Sequence, residues 1–166
     1  MLRLGWFIVP ALIVAGVVIV VATSSALPPW VASKFGTDGA PIGAMSRDGY
    51  IALMAALVGL TPAAMIVLGG WLPGRLGSAI RVGRQVVPER HVATARRIVQ
   101  GFMLAVAAAM VAFMVAMHLL IVRAHAASPP RLEEAPFFVL IAVFVVVLLA
   151  GSILFHRQLR SLAGRG

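Results

Sequence analysis

Four long apolar runs, Leu4–Val21, Tyr50–Leu72, Ile98–Val122 and Phe137–Phe155, alternate with segments where glycine, proline and charge gather. Each run reaches or exceeds the roughly 18 residues that cross a hydrocarbon core about 30 Å thick. None of them contains Asp, Glu, Lys or Arg. A backbone in lipid must satisfy its own polar groups, and runs without the period-2 alternation of barrel strands do so as helices. The pattern predicts an all-α membrane protein, a four-helix transmembrane bundle with short loops. Its single membrane domain covers residues 1–166, with spans at about 4–21, 50–72, 98–122 and 137–155. Between them lie an extracytoplasmic loop over 23–49 and a basic cytoplasmic loop over 73–97. Arg3 before the first run and Ser24-Ser25-Ala26 after it suit a secretion signal. The run is longer than the 7–15 residues of a signal core, however, and is read as a span.

Charge orients the bundle. With a cytoplasmic N-terminus the inside carries Arg3, Arg75, Arg81, Arg84, Arg90, Arg96, Arg97, Arg157, Arg160 and Arg165. The outside carries Lys34, Arg47, Arg123 and Arg131, with Asp38, Asp48, Glu133 and Glu134 beside them. That excess of inside arginines places both termini in the cytoplasm. Trp6 and Trp71 then fall near the inner interface and Tyr50 near the outer one, where aromatic anchors sit.

Composition agrees with the runs: 61% of residues are hydrophobic, 11% are charged, and the mean hydropathy is +1.03. The net charge of +9 does not indicate nucleic-acid binding, because the arginines punctuate apolar segments and form no continuous basic face. With no cysteine, disulfides and thiol chemistry are excluded.

Inside the spans, Ala55, Gly59 and Ala63, and likewise Ala108, Ala112 and Ala116, recur every four residues, a spacing that lets helices approach closely within one chain or in a homodimer. Pro10 and Pro62 each remove an amide donor and are expected to kink or loosen their helices. Met103, Met110, Met114 and Met117 with His118 have the soft-ligand chemistry of a copper path. Methionine is also a flexible core filler, and no second Met or His cluster faces this one, so no metal is assigned. His118 is the one His, Asp, Glu, Lys or Arg within a predicted span, which makes it a speculative intramembrane polar site. It lies about 7.5 Å of helix rise from Arg123 and is expected to reach toward the interface. No carboxylate within a span can pair with it, which argues against ion-coupled transport. His91, His125 and His156 fall in or beside loops and are read as interfacial or solvent-facing, and Glu133 with Glu134 as a solvated pair. No catalytic motif is present and no cofactor is implied. In the cytoplasmic loop, Pro88-Glu89 suits a helix start that runs straight into the third span. Arg96 and Arg97 would then meet anionic lipid or dock a soluble partner.

The loop LPPWVASKFGTDGAPIGAMSRDGY, Leu27–Tyr50, reads as a compact, turn-rich hairpin. Pro28-Pro29 stops the first helix, Asp38-Gly39 and Pro41-Ile42-Gly43 are turn signals, and Ser46 could cap the second helix. Lys34 and Asp38 could pair across the turn. Leu27, Pro28, Val31, Phe35, Gly36, Gly39, Pro41, Gly43, Ser46 and Arg47 together resemble the signature of a bacterial integral membrane family, domain of unknown function 1648. The family is distantly similar to the immunity protein against the sporulation-delay toxin. Where its pattern carries histidine before the phenylalanine, this chain has Lys34. A metal-binding or proton-transfer role there would not pass to a lysine, whereas a hydrogen-bonding role could.

The resemblance implies a non-catalytic protein of the bacterial cytoplasmic (inner) membrane. It would be an accessory, sensory or toxin-immunity-like protein whose outer loop contacts another membrane or envelope protein. The alternative is a small oligomeric transporter or channel subunit, and a homo-oligomer stays open in both.

Overall fold

The computed structural model describes the backbone of residues 2–75, 81–82 and 85–163, and the side chains of residues 4–70 and 87–162. The expectations for Arg3, Trp71, Arg75, Arg81, Arg84 and Arg165 lie outside the residues whose side chains are described. Four helices form the body: α1 (Leu2–Thr23), α2 (Arg47–Arg75), α3 (Glu89–Ala126) and α4 (Glu134–Ala163). All four are long and apolar enough to cross a membrane. Two antiparallel hairpins join them: β1 (Trp30–Phe35) with β2 (Pro41–Ser46) between α1 and α2, and β3 (Arg81–Val82) with β4 (Gln85–Val86) between α2 and α3.

The helices extend beyond the apolar runs because the polar residues flanking each run satisfy helix ends. Ser46 Oγ accepts the Gly49 amide (3.2 Å) at the start of α2, and Asp48 sits in the first turn where the helix dipole favours it. Pro88 precedes α3, Glu89 occupies its first turn, and the helix runs unbroken through Arg96 and Arg97 into its apolar stretch, as the sequence suggests. At the end of α1, three successive hydroxyls bond back to free carbonyls: Thr23 to Ile19, Ser24 to Val20 and Ser25 to Ala22. A single 3₁₀ turn, Ser24–Ala26, follows before Pro28-Pro29 turns the chain into β1.

The third helix touches α1, α2, α4 and β1 and is the central post. Val20, Leu27, Val31, Tyr50, Met54, Val58, Val111 and Ile121 form the core at the end that carries the β1–β2 hairpin. Val9, Leu104 and Ala107 form a second cluster further along, beside Trp6 and Met65. At the far end of α3, Val87 and Ala95 meet Leu159 and Leu162 of α4. Elsewhere α4 leans on α3 through two stacked phenyl pairs, Phe113–Phe144 at 4.3 Å and Phe102–Phe155 at 4.5 Å between ring centroids. The outward valines and leucines of α4, and Phe7, Leu12 and Val18 of α1, are exposed on the isolated chain. Side chains of this kind are what a membrane-crossing helix turns toward lipid.

The small-residue stripes pack within the chain only in part: Ala108 lies beside the Val9, Leu104 and Ala107 cluster. Ala112 is exposed and Gly59 has only Val17 near it, whereas a Cβ on Gly16 would stand 2.8 Å from Val58 and 3.1 Å from both Val111 and Val115. Helix crossings are set by which residue falls at the contact point, and a repeat every four residues names a face without naming that point. Nor does Pro10 interrupt α1, which stays helical on both sides of it.

Gly16→Val is expected to destabilise the bundle by about 1–3 kcal/mol through overpacking. Gly101→Ala, where a new Cβ meets nothing within 4 Å, is expected to be neutral or stabilising by up to roughly 1 kcal/mol. Reversible unfolding of the two variants in mixed micelles checks the contrast; equal midpoints would refute the assigned α1–α2–α3 crossing.

Candidate functional site

The residues of the Leu27–Arg47 signature build and dock the hairpin. Leu27 and Val31 are buried in the core beneath it. Strand pairing matches Trp30 with Ser46, Val31 with Met45 and Ala32 with Ala44, then shifts to pair Lys34 with Gly43 and Phe35 with Pro41. Those shifts are β-bulges, which twist and bend the strands. The Gly36 amide donates to Ala40 O (2.8 Å) and the Gly39 amide to Gly36 O (3.0 Å), closing the turn. Gly39 has φ +74°, and its carbonyl accepts the Leu132 amide at 3.0 Å from the α3–α4 connection. A Cβ there would collide with Leu132 O, so glycine is required both for the conformation and for the close approach. At the hairpin base, the Arg47 amide donates to Pro29 O (2.9 Å) and its guanidinium to Leu27 O (3.4 Å). Pro28 is half-buried just before this contact.

Lys34 is exposed, its carbons lying over Gly43, and no ion pair joins it to Asp38 among the described residues. Asp38 Oδ1 accepts the Ala40 amide instead (3.1 Å), and Asp38 O accepts from the Arg131 guanidinium (3.2 Å). The short side chain of Asp38 folds onto its own turn, out of a lysine's reach.

Two histidine expectations change. His118 does not reach an interface: it is 0% exposed, enclosed between α1, α2 and α3. Its Nε2 lies 2.7 Å from Thr23 Oγ1 and its Nδ1 3.0 Å from Tyr50 Oη, with the Tyr50 ring stacked on the imidazole. Tyr50 is correspondingly a buried partner and not an outward interface anchor. His125 is half-buried and clasps the hairpin, with Nε2 2.9 Å from the Ala32 amide nitrogen, Nδ1 2.8 Å from Ile121 O, and the Phe35 ring edge-on at 6.5 Å. His91 and His156 stay at the surface, half-buried and exposed respectively.

The partners assign the protons. Thr23 has one hydroxyl proton, and Ile19 O can only accept it, so His118 Nε2 must donate to Thr23 and Nδ1 must accept from Tyr50. At His125 the roles reverse. The Ile121 carbonyl requires a proton on Nδ1, and the Ala32 N–H requires a bare Nε2. As neutral rings the two hold opposite tautomers, two helical turns apart on one face of α3. The signal available in sequence was that seven-residue spacing. Their partners lie 95, 68 and 93 residues away in the chain, and nothing local announces them.

A cavity of about 200 Å³ opens between the hairpin, α3 and the start of α4, walled by Phe35, Thr37, Met117, Glu134, Phe137 and Phe138 among others. Glu134 begins α4, while its neighbour Glu133 pairs with Arg123 at 2.9 Å on the surface, so the two carboxylates have separate roles. The methionine stripe is divided. Met103 packs under Gly69, Met114 joins the core and Met117 lines the cavity. The described residues contain no group of three His, Cys, Asp or Glu suited to a metal. Comparisons with protein-family models, curated proteins and solved structures give no match to this chain.

An interhelical hydrogen bond in a membrane contributes about 0.6–2 kcal/mol. Tyr50→Phe and Thr23→Val are each expected to cost roughly 1 kcal/mol. His118→Ala, which orphans both partners and leaves a cavity, is expected to cost more, about 2–4 kcal/mol. A double-mutant cycle on Tyr50 and His118 in mixed micelles should show coupling of about 0.6–1.7 kcal/mol; additivity would mean the bond contributes nothing. Gly39→Val is expected to free the hairpin from the α3–α4 connection while the bundle stays folded, read as faster amide exchange confined to residues 30–46 and 131–132.

Proposed function

We propose that the chain is a non-catalytic protein of a bacterial inner membrane whose β1–β2 hairpin lies outside the cell and contacts a protein or peptide partner. The observation that carries this reading is the display of large apolar side chains on a braced support. Trp30 is 70% and Ile42 71% exposed, at opposite ends of a hairpin tied to α2, α3 and the α3–α4 connection by hydrogen bonds. Partner recognition favours aromatic and aliphatic anchors held on a rigid base, because little ordering entropy is then lost on binding. The arginine distribution supports an extracytoplasmic hairpin with both termini in the cytoplasm. The resemblance of Leu27–Arg47 to a bacterial membrane family supports an accessory, sensory or toxin-immunity-like role. Lys34 is exposed and stands outside the inward bonding of that signature.

Deleting the gene is expected to alter sensitivity to membrane-active peptides. A wild-type copy should restore it, and a Trp30→Ala/Ile42→Ser copy present in the membrane at equal amount should not. Full restoration by the double variant would count against the hairpin as the contact surface.

A further inference from the structure

We infer that His125 is a pH-sensitive latch that holds the hairpin on α3 and releases it in mild acid. Most bonds that brace the hairpin use groups that keep their donor or acceptor character at any pH near neutral: the Leu132 amide on Gly39 O, the Arg47 amide on Pro29 O, and guanidinium groups on the carbonyls of Leu27 and Asp38. The Ala32–His125 bond differs. The amide of Ala32 is a fixed donor, and it points at an imidazole nitrogen that accepts only while it carries no proton. The other nitrogen is already committed to Ile121 O, so the ring cannot exchange tautomers to absorb a new proton. An imidazole takes up its second proton between about pH 5 and 8. Protonation of Nε2 sets N–H against N–H across a 2.9 Å contact and converts a bond into a repulsion.

The ring contacts the Ala32 amide and the Phe35 ring edge from β1, and the Ile121 carbonyl from its own helix. The charged groups of the elements around it are Lys34 on β1, Asp38 in the hairpin turn, Arg123 on α3 paired with Glu133, Arg131 on the α3–α4 connection bound to Asp38 O, and Glu134 at the start of α4. None of these is hydrogen-bonded to His125. The hairpin also forms one wall of the 200 Å³ cavity, through Ser33, Phe35 and Gly36. Its release therefore removes that wall and opens the cavity. The latch holds whatever the hairpin contacts, and does not depend on the proposed function.

Hydrogen exchange of the full chain in lipid nanodiscs, corrected for the pH dependence of intrinsic exchange, tests the latch. Between pH 7.5 and 5.0 the amides of residues 30–46 are expected to lose about tenfold in protection, the Ala32 amide most, while α1 and α2 are unchanged. In His125→Gln, whose side-chain oxygen accepts at any of these pH values, the change should vanish. The doubly substituted His91→Gln/His156→Gln protein should behave like the wild type. A flat wild-type response overturns the proposal. So does pH dependence that persists in His125→Gln, which would assign the effect to a carboxylate or to His118, and so does a simultaneous loss of protection throughout the bundle.

Discussion

The hydrogen-bond chain from Thr23 through His118 to Tyr50 is the constraint around which the rest of the hairpin end is arranged. It joins the last turn of α1, the C-terminal third of α3 and the first turn of α2, and it is enclosed by apolar side chains. In such surroundings an unpaired polar group is costly, so the three helices can associate only at rotations and depths that satisfy all three side chains together. Apolar packing alone is permissive about such positions, because lipid tails are as apolar as leucine. Once His118 is seated, α3 presents His125 two turns further along the same face, where β1 passes. The hairpin is thereby positioned through the same helix that closes the bundle.

The family-like signature acquires a structural meaning from this arrangement. Leu27 and Val31 anchor the hairpin from below, Gly39 permits the close pass of Leu132, Ser46 caps α2, and Arg47 reaches back to Leu27 and Pro29. Among the outward side chains of the strands, Trp30, Ile42 and Ala44 lie outside the signature, while Lys34, Pro41 and Ser46 belong to it. The imidazole beside Phe35 comes from α3, in the form of His125, and not from the strand position occupied by Lys34.

The helices were legible in the sequence because length and hydropathy alone report them, and the capping residues Ser46 and Pro88 marked two starts correctly. The turn at Asp38-Gly39 was legible for the same reason: its chemistry is local. Histidines 118 and 125 were misread because their environments are built from α1, α2 and β1, brought together only by folding. Distance to a charged helix end suggested an exposed His118, yet depth along a helix does not say which way a side chain faces. Tyr50 was taken for an interface anchor on similar grounds. The tight contact at Gly16 was not legible either, since it depends on how α1 crosses two other helices and leaves no repeat in the sequence.

The central claim is that two neutral histidines on one face of α3 hold opposite tautomers, each dictated by its partners. Nitrogen-15 NMR of selectively labelled histidine in lipid nanodiscs near pH 7.5, assigned with His118→Ala and His125→Gln proteins, measures this directly. The account predicts that His118 carries its proton on Nε2 and His125 on Nδ1. The same tautomer at both sites, or rapid exchange between tautomers at either, would contradict it.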